Sequence, residues 1–232
     1  MDCVLFDLDD TLYDQVQPFA LAYQQVLGER PQVDVEALFR ASRRYSDAAF
    51  AASERGEIPM DEMYVYRLQM AFRDLGAEVD AATCLAMQRA YAHNQEHAIT
   101  LLPGMAEVLD GLRERGCRLG IVTNGPGQHQ LAKAAALGME RWVARDATLV
   151  SAIEGVAKPN PALYLRACER LGTTPERCVF VGDAYVMDIS GAVAAGIPAI
   201  WFNHRHRDPG GGPAPDYTVY SVDELRSLLE TL

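Results

Sequence analysis

From Leu101 onward the chain alternates between helical and extended patterns, and that alternation most restricts the folds open to it. LLPGMAEVLDGLRERG reads as a turn and an amphipathic helix, and RLGIVTNG reads as a buried strand ending in a polar glycine turn. A helix near 128–137 follows, then a short strand around 148–152, a helix over 161–171 and the strand CVFVGD at 178–183. Next come a helix around 189–195, the strand PAIWFN, the loop PGGGPAP, the strand YTVYS and a last helix. Such alternation predicts a parallel sheet with helices on both faces.

One further strand stands far upstream, in VLFDLDDTL at 4–12, where a short apolar run ends in Asp7 and Asp9. A lone strand is not stable, so residues 3–7 are expected in the same sheet. Between them, 19–97 carries apolar residues at three- and four-residue spacing, broken by Pro31, by 56–59 and by Gly76, which fits four or five helices. The expected architecture is an α/β, Rossmann-like parallel-sheet core made of 1–14 and 99–232, with a helical domain, 15–98, inserted between.

With 232 residues and 49% hydrophobic content the chain can bury a substantial core. It has no apolar run of the roughly 18 residues a membrane span requires and no basic-then-apolar leader, so a cytoplasmic protein without a membrane partner is expected. Net charge is −11, which on average repels nucleic acid and anionic lipid. Its five cysteines are scattered with no C-x-x-C pair, which argues against a disulfide framework or structural zinc and for reduced apolar fillers. The 210–215 loop reads as a flexible surface connection. Of the 21 basic residues all are arginine except Lys133 and Lys158. Lysine is a compact charge on a slim stem where arginine is a broad fork. Lys133, in LAKAAALG, reads as a solvated helix position.

Side chains two apart on an extended segment share a face, so Asp7 and Asp9 leave the first strand side by side and repel unless a cation or a shared proton relieves them. Thr123 and Asn124 end the second strand and Asp183 ends the VFVG strand. In open α/β sheets ligands sit beyond the carboxyl ends of the strands, so these groups are expected around one crevice. Lys158, in GVAKPNPALY, precedes a helix whose start is marked by Asn160 as N-cap and Pro161 at the first position, and it leans toward the same space. Three carboxylates, a lysine, a hydroxyl and an amide suit a hard dication and a phosphate. Magnesium takes oxygen ligands, typically one or two carboxylates plus waters and substrate phosphate, which Asp7 and Asp183 would supply.

These four segments, DLDDT at 7–11, VTN with Thr123 and Asn124, AKPNP with Lys158, and GDAYVMD at 182–188, resemble in order and spacing the motifs of the haloacid dehalogenase-like superfamily. The helical insertion is similar to that family's helical cap. The resemblance implies a phosphatase in which Asp7 is the nucleophile, forming an aspartyl-phosphate, and Asp9 is the general acid and base. It implies that Thr123, Asn124 and Lys158 hold the phosphate. Asp183 would bind magnesium directly with Asp7 and the backbone carbonyl of Asp9, and Asp188 would support the metal or Lys158.

Within this superfamily, dehalogenases lack the second aspartate, because a halide leaving group needs no proton; Asp9 therefore favours phosphate chemistry. A phosphonate-cleaving relative needs a cap lysine, and 14–98 contains none. The expected substrate is a small phosphorylated metabolite such as a nucleotide, sugar or hydroxy-acid phosphate, handled by a monomer or homodimer. A phosphomutase shares every motif, and a non-catalytic phosphometabolite-binding protein would have lost the nucleophile or lysine. Asp10 reads as a surface or turn residue and Thr11 as a turn-stabilising hydroxyl. Residues 203–207 read as a solvated basic loop, and Arg43, Arg44 and Tyr45 as weaker candidates for substrate contact.

Overall fold

The computed structural model describes residues 1–28, 31–54, 57–209 and 211–232, with backbone alone over 47–54. Two compact units form, one from Met1–Asp14 with Thr100–Leu232 and one from Gln15–Ile99. The chain leaves and re-enters the first unit side by side, where the Leu102 N–H donates to the Leu12 carbonyl at 2.9 Å.

The second unit is four helices, α1 (Val16–Leu27), α2 (Val35–Glu54), α3 (Met60–Asp74) and α4 (Ala81–His97). Their apolar positions meet in one core of Phe19, Tyr23, Leu38, Phe39, Leu68, Phe72, Met87 and Tyr91. Phe19 stands edge-on to Phe39 and Tyr91, with ring centroids 5.3 and 5.5 Å apart, the arrangement in which positive ring edges meet negative faces. Asp80 caps α4 by accepting the Thr83 N–H at 2.7 Å.

The first unit holds β1 (Cys3–Phe6), α5 (Met105–Glu114), β2 (Arg118–Thr123), α6 (Gly127–Ala136), β3 (Thr148–Val150), α7 (Ser151–Glu154) and α8 (Pro161–Arg170), then β4 (Cys178–Gly182), α9 (Ser190–Ala194), β5 (Ala199–Phe202), β6 (Tyr217–Val219) and α10 (Val222–Thr231). The six strands form one sheet in the order β3-β2-β1-β4-β5-β6, with every pairing parallel. β1 is central, its Cys3 in register with Arg118 on one side and Cys178 on the other. All four β1 residues are buried, as a strand covered on both faces demands. Asn160 caps α8 ahead of Pro161, accepting the Ala162 N–H at 3.0 Å. The five cysteines are free and buried, as their fillers' reading required.

Strand order reverses beside β1: the chain runs outward through β2 and β3, then crosses to β4 and proceeds the other way. That is the doubly wound order, whose ligand crevice lies beyond the carboxyl ends of the strands at the reversal. Asp7 follows β1, Thr123 ends β2 and Asp183 follows β4 at that end. No described helix is long and apolar enough to cross a membrane. Gly210 of the glycine-proline loop lies outside the described residues; farther along, the Tyr185 hydroxyl donates to the Pro213 carbonyl at 3.1 Å.

Candidate active site

Beyond the β1 end, Asp7 is anchored by its own N–H, which donates to the Val181 carbonyl of β4 at 2.9 Å. Its carboxylate, with those of Asp183 and Asp188, makes a buried group whose oxygens lie within 4.8 Å of one another. Lys158 enters from the β3-to-β4 crossover, its Nζ 2.6 Å from Asp7 Oδ1 and 2.6 Å from Asp188 Oδ1. Burial opposes the Lys158 charge, but Asp188 and Asp7 outweigh it and hold the ammonium protonated far above its ordinary range.

Asp188 reaches this position because one π-type turn (Tyr185–Ile189) folds back on the end of β4. A Cβ on Gly182 would fall 2.5 Å from Asp188 Cγ, so only glycine admits the aspartate there. The second Asp188 oxygen accepts the Ala184 N–H at 2.9 Å. The Tyr164 hydroxyl closes the same turn by donating to the Met187 carbonyl at 2.6 Å.

Asn124 ties β2 to the lysine loop. Its Nδ2 donates to the Lys158 carbonyl at 3.0 Å and its Oδ1 accepts the Lys158 N–H at 2.8 Å. Thr123 is buried, and its Oγ1 accepts from Gln130 Nε2 at 2.5 Å, leaving the hydroxyl proton for another acceptor.

Asp9 does not join the Asp7, Asp183 and Asp188 group. It lies instead in a cradle of Lys133, Gln130 and Tyr13. Lys133 Nζ is 2.8 Å from Asp9 Oδ1 and 3.1 Å from Oδ2, Gln130 Nε2 is 2.9 Å from Oδ2, and the Tyr13 hydroxyl donates to Oδ1. Burial alone would raise the Asp9 pKa, but the Lys133 charge and the three donors override it and hold the carboxyl well below the usual range. The solvated position expected for Lys133 is therefore wrong: it is buried on α6, because the charge of Asp9 compensates it.

Three other readings also need correction. Asp10 is not a surface residue but a buried hub in the left-handed region at φ 60°, which aspartate tolerates better than most residues. Arg205 grips it with Nε at 2.5 Å and Nη2 at 2.6 Å, and Arg207 Nη2 lies 2.8 Å away. The 203–207 loop is solvated only in part: His206 and Arg207 are exposed, but Asn203 is buried, Arg205 bridges Asp10 and Asp14, and Arg207 Nη1 reaches Asp183 Oδ2 at 2.6 Å. Thr11 Oγ1 is buried with no hydrogen-bond partner among the described residues, so the expected turn-stabilising bond is not made there. In the helical unit Arg44 and Tyr45 both bind Asp74, at 2.6 and 3.0 Å; Arg43 is exposed.

The charge balance fits a dication. Burial, followed by repulsion from Asp188, Asp183 and Asp9, pushes the Asp7 carboxyl well up against the pull of Lys158. Asp183 is pushed up to about 7 by burial and Asp10, with Arg207 opposing. Closely set, all-oxygen and short of positive charge, these carboxylates suit a hard cation such as magnesium. Sequence reasoning missed Gln130, Tyr13, Arg205 and Arg207. The spacing of Gln130 and Lys133, three apart on one helix face just after the TNG turn, was the available signal.

The family model for haloacid dehalogenase-like hydrolases matches residues 1–196. A glyceraldehyde 3-phosphate phosphatase of Methanopyrus kandleri is 28% identical over 230 residues, 99% of this chain and 96% of that protein. A pyrimidine 5'-nucleotidase of Streptococcus pneumoniae is 28% identical over 228 residues, 98% of this chain and 94% of its own. Among solved structures, an L-2-haloacid dehalogenase superposes with TM-score 0.75 at 26% identity, over 99% of both chains. The chain belongs to the haloacid dehalogenase-like hydrolases.

Proposed function

We propose that this chain, a phosphoric monoester hydrolase of the haloacid dehalogenase-like family, is magnesium-dependent and cleaves a small phosphorylated metabolite through an aspartyl-phosphate, an acyl phosphate on Asp7. The observation that carries the reading is Lys158 bridging Asp7 and Asp188 at 2.6 Å each, with Asp183 in the same buried group. Its relatives include enzymes named for glyceraldehyde 3-phosphate and for pyrimidine nucleotides, so a sugar-type or nucleoside monophosphate is the substrate class we favour.

In this reading a carboxylate oxygen of Asp7 attacks phosphorus as the bond to the ester oxygen breaks, and a proton from Asp9 goes to the departing alcohol. Water then attacks phosphorus, the Asp7–phosphorus bond breaks, and Asp9 takes the water proton. Lys158 offsets the charge gathering on the transferring oxygens, and Asn124 fixes where Lys158 stands. The Thr123 hydroxyl donates to the phosphate. Asp7, Asp183 and the Asp9 carbonyl would hold magnesium, with Asp188 supporting Lys158; the ion would neutralise phosphate oxygens when bound. The cradle around Asp9 favours its ionised form and thus the base half of its role. We take the helical unit as the counterpart of the family's helical cap.

A phosphate-release screen over phosphorylated metabolites, with and without magnesium, tests the reading. Magnesium-dependent release with at least one compound is expected, and Asp7→Asn should reduce it to background while leaving the fold intact. Retained turnover in Asp7→Asn would overturn the mechanism.

A further inference from the structure

The two lysines of the chain stand on two of the three carboxylates of the first motif, Lys158 on Asp7 and Lys133 on Asp9. A buried ammonium carries a desolvation cost of several kcal/mol, and a buried ion pair is often no more stabilising than apolar residues of similar volume in both places. Lys133 has a side chain only 5% exposed, yet it contacts both oxygens of a carboxylate 124 residues away in sequence. Its neighbour Gln130 links the same carboxylate to Thr123 Oγ1 and to the Asn124 carbonyl, at 2.5 and 3.0 Å. The cradle therefore fixes Asp9 relative to the phosphate-facing end of β2. Among the described residues, the other cations paired with the first motif are Lys158, already shared by Asp7 and Asp188, and Arg205 and Arg207, both on Asp10.

We propose that Lys133 is a positioning residue for Asp9, holding that carboxylate apart from the Asp7 group and in place for its proton transfers. The inference rests on Asp9 being the acid and base of the reaction, and the test separates the two ideas.

The test is a double-mutant cycle on p-nitrophenyl phosphate with saturating magnesium, comparing Lys133→Met, Asp9→Asn and the double variant, with melting curves on each. Asp9→Asn should lose on the order of 10²–10⁴ in kcat, the worth of general acid–base assistance. Lys133→Met should lose at least about tenfold in kcat with KM little changed, and the double variant no more than Asp9→Asn alone, since a positioning residue has nothing left to act through. Lys133→Gln, which keeps a donor in the cradle, should fall between wild type and Lys133→Met and supplies the cycle if the methionine variant does not fold. Wild-type kcat in both Lys133 variants, or losses that add to those of Asp9→Asn, would overturn the proposal. Full activity in Asp9→Asn would instead overturn the reading of Asp9, and the inference with it.

Discussion

Asn124 and Lys158 are joined by a reciprocal pair of hydrogen bonds, 2.8 and 3.0 Å, between one side-chain amide and both backbone polar groups of the lysine. The pair spans 34 residues and sets the height at which the Lys158 loop meets the end of β2. Lys158 is thereby delivered to Asp7 by its main chain as well as by its charge.

Asn124→Ala removes both bonds and leaves the Lys158 N–H and carbonyl without those partners, at a cost of about 1–3 kcal/mol for each buried group so orphaned. We expect a lower melting temperature together with a fall in kcat, because a lysine displaced by an ångström no longer matches the transferring oxygens. Asn124→Asp keeps the acceptor and should recover part of the stability. Denaturant unfolding and steady-state kinetics on the same preparations check both.

Gly182→Ala places a methyl group 2.5 Å from Asp188 Cγ, a separation that side chains do not sustain. Either the turn after β4 shifts or Asp188 leaves Lys158, and overpacking of this kind costs about 1–3 kcal/mol. Loss of activity should exceed loss of stability, since the displaced group is the lysine's partner rather than the sheet. Thermal melting compared with kcat measures the split.

Asp10→Ala empties the hub that Arg205 and Arg207 share and puts alanine at a φ of 60°, a conformation it adopts at a cost. Breaking a buried ion pair from one side costs about 3–5 kcal/mol, and Arg205 recovers part of it through Asp14. We expect a destabilisation relative to wild type that changes less with salt than the one caused by Arg40→Ala, because Arg40 and Glu36 form an exposed pair that salt screens. Melting curves across a salt series decide this.

How far the sequence alone reaches follows from which interactions are local. The alternation after Leu101 announced a parallel sheet because periodicity is a property of neighbouring residues, and Asn160-Pro161 marked a helix start for the same reason. The motif ends were legible because strand termini in such a sheet converge on one crevice. What pairs across that crevice was not. Lys133 meets Asp9 from 124 residues away and Arg205 meets Asp10 from 195, and nothing in a helical or loop context distinguishes a solvated cation from one drawn inward by a distant carboxylate. Lysine scarcity and the Gln130–Lys133 spacing were the hints, and scarcity pointed to Lys158 and Lys133 alike.

Magnesium should stabilise the protein through Asp7 and Asp183 of the buried carboxylate group. An ion at about 100 times its Kd adds about 2.7 kcal/mol to the folded state, which for a chain of this size raises the melting temperature by roughly 5–10 °C. Asp183→Asn removes a ligand charge and also relieves repulsion on Asp7, so its metal-free form should melt no lower than the metal-free wild type. The same variant should lose most of the magnesium-induced gain, since an amide is a poorer partner for a hard cation than a carboxylate. Melting with magnesium, and again after chelation, separates the two contributions. A gain that survives in Asp183→Asn would place the ion elsewhere.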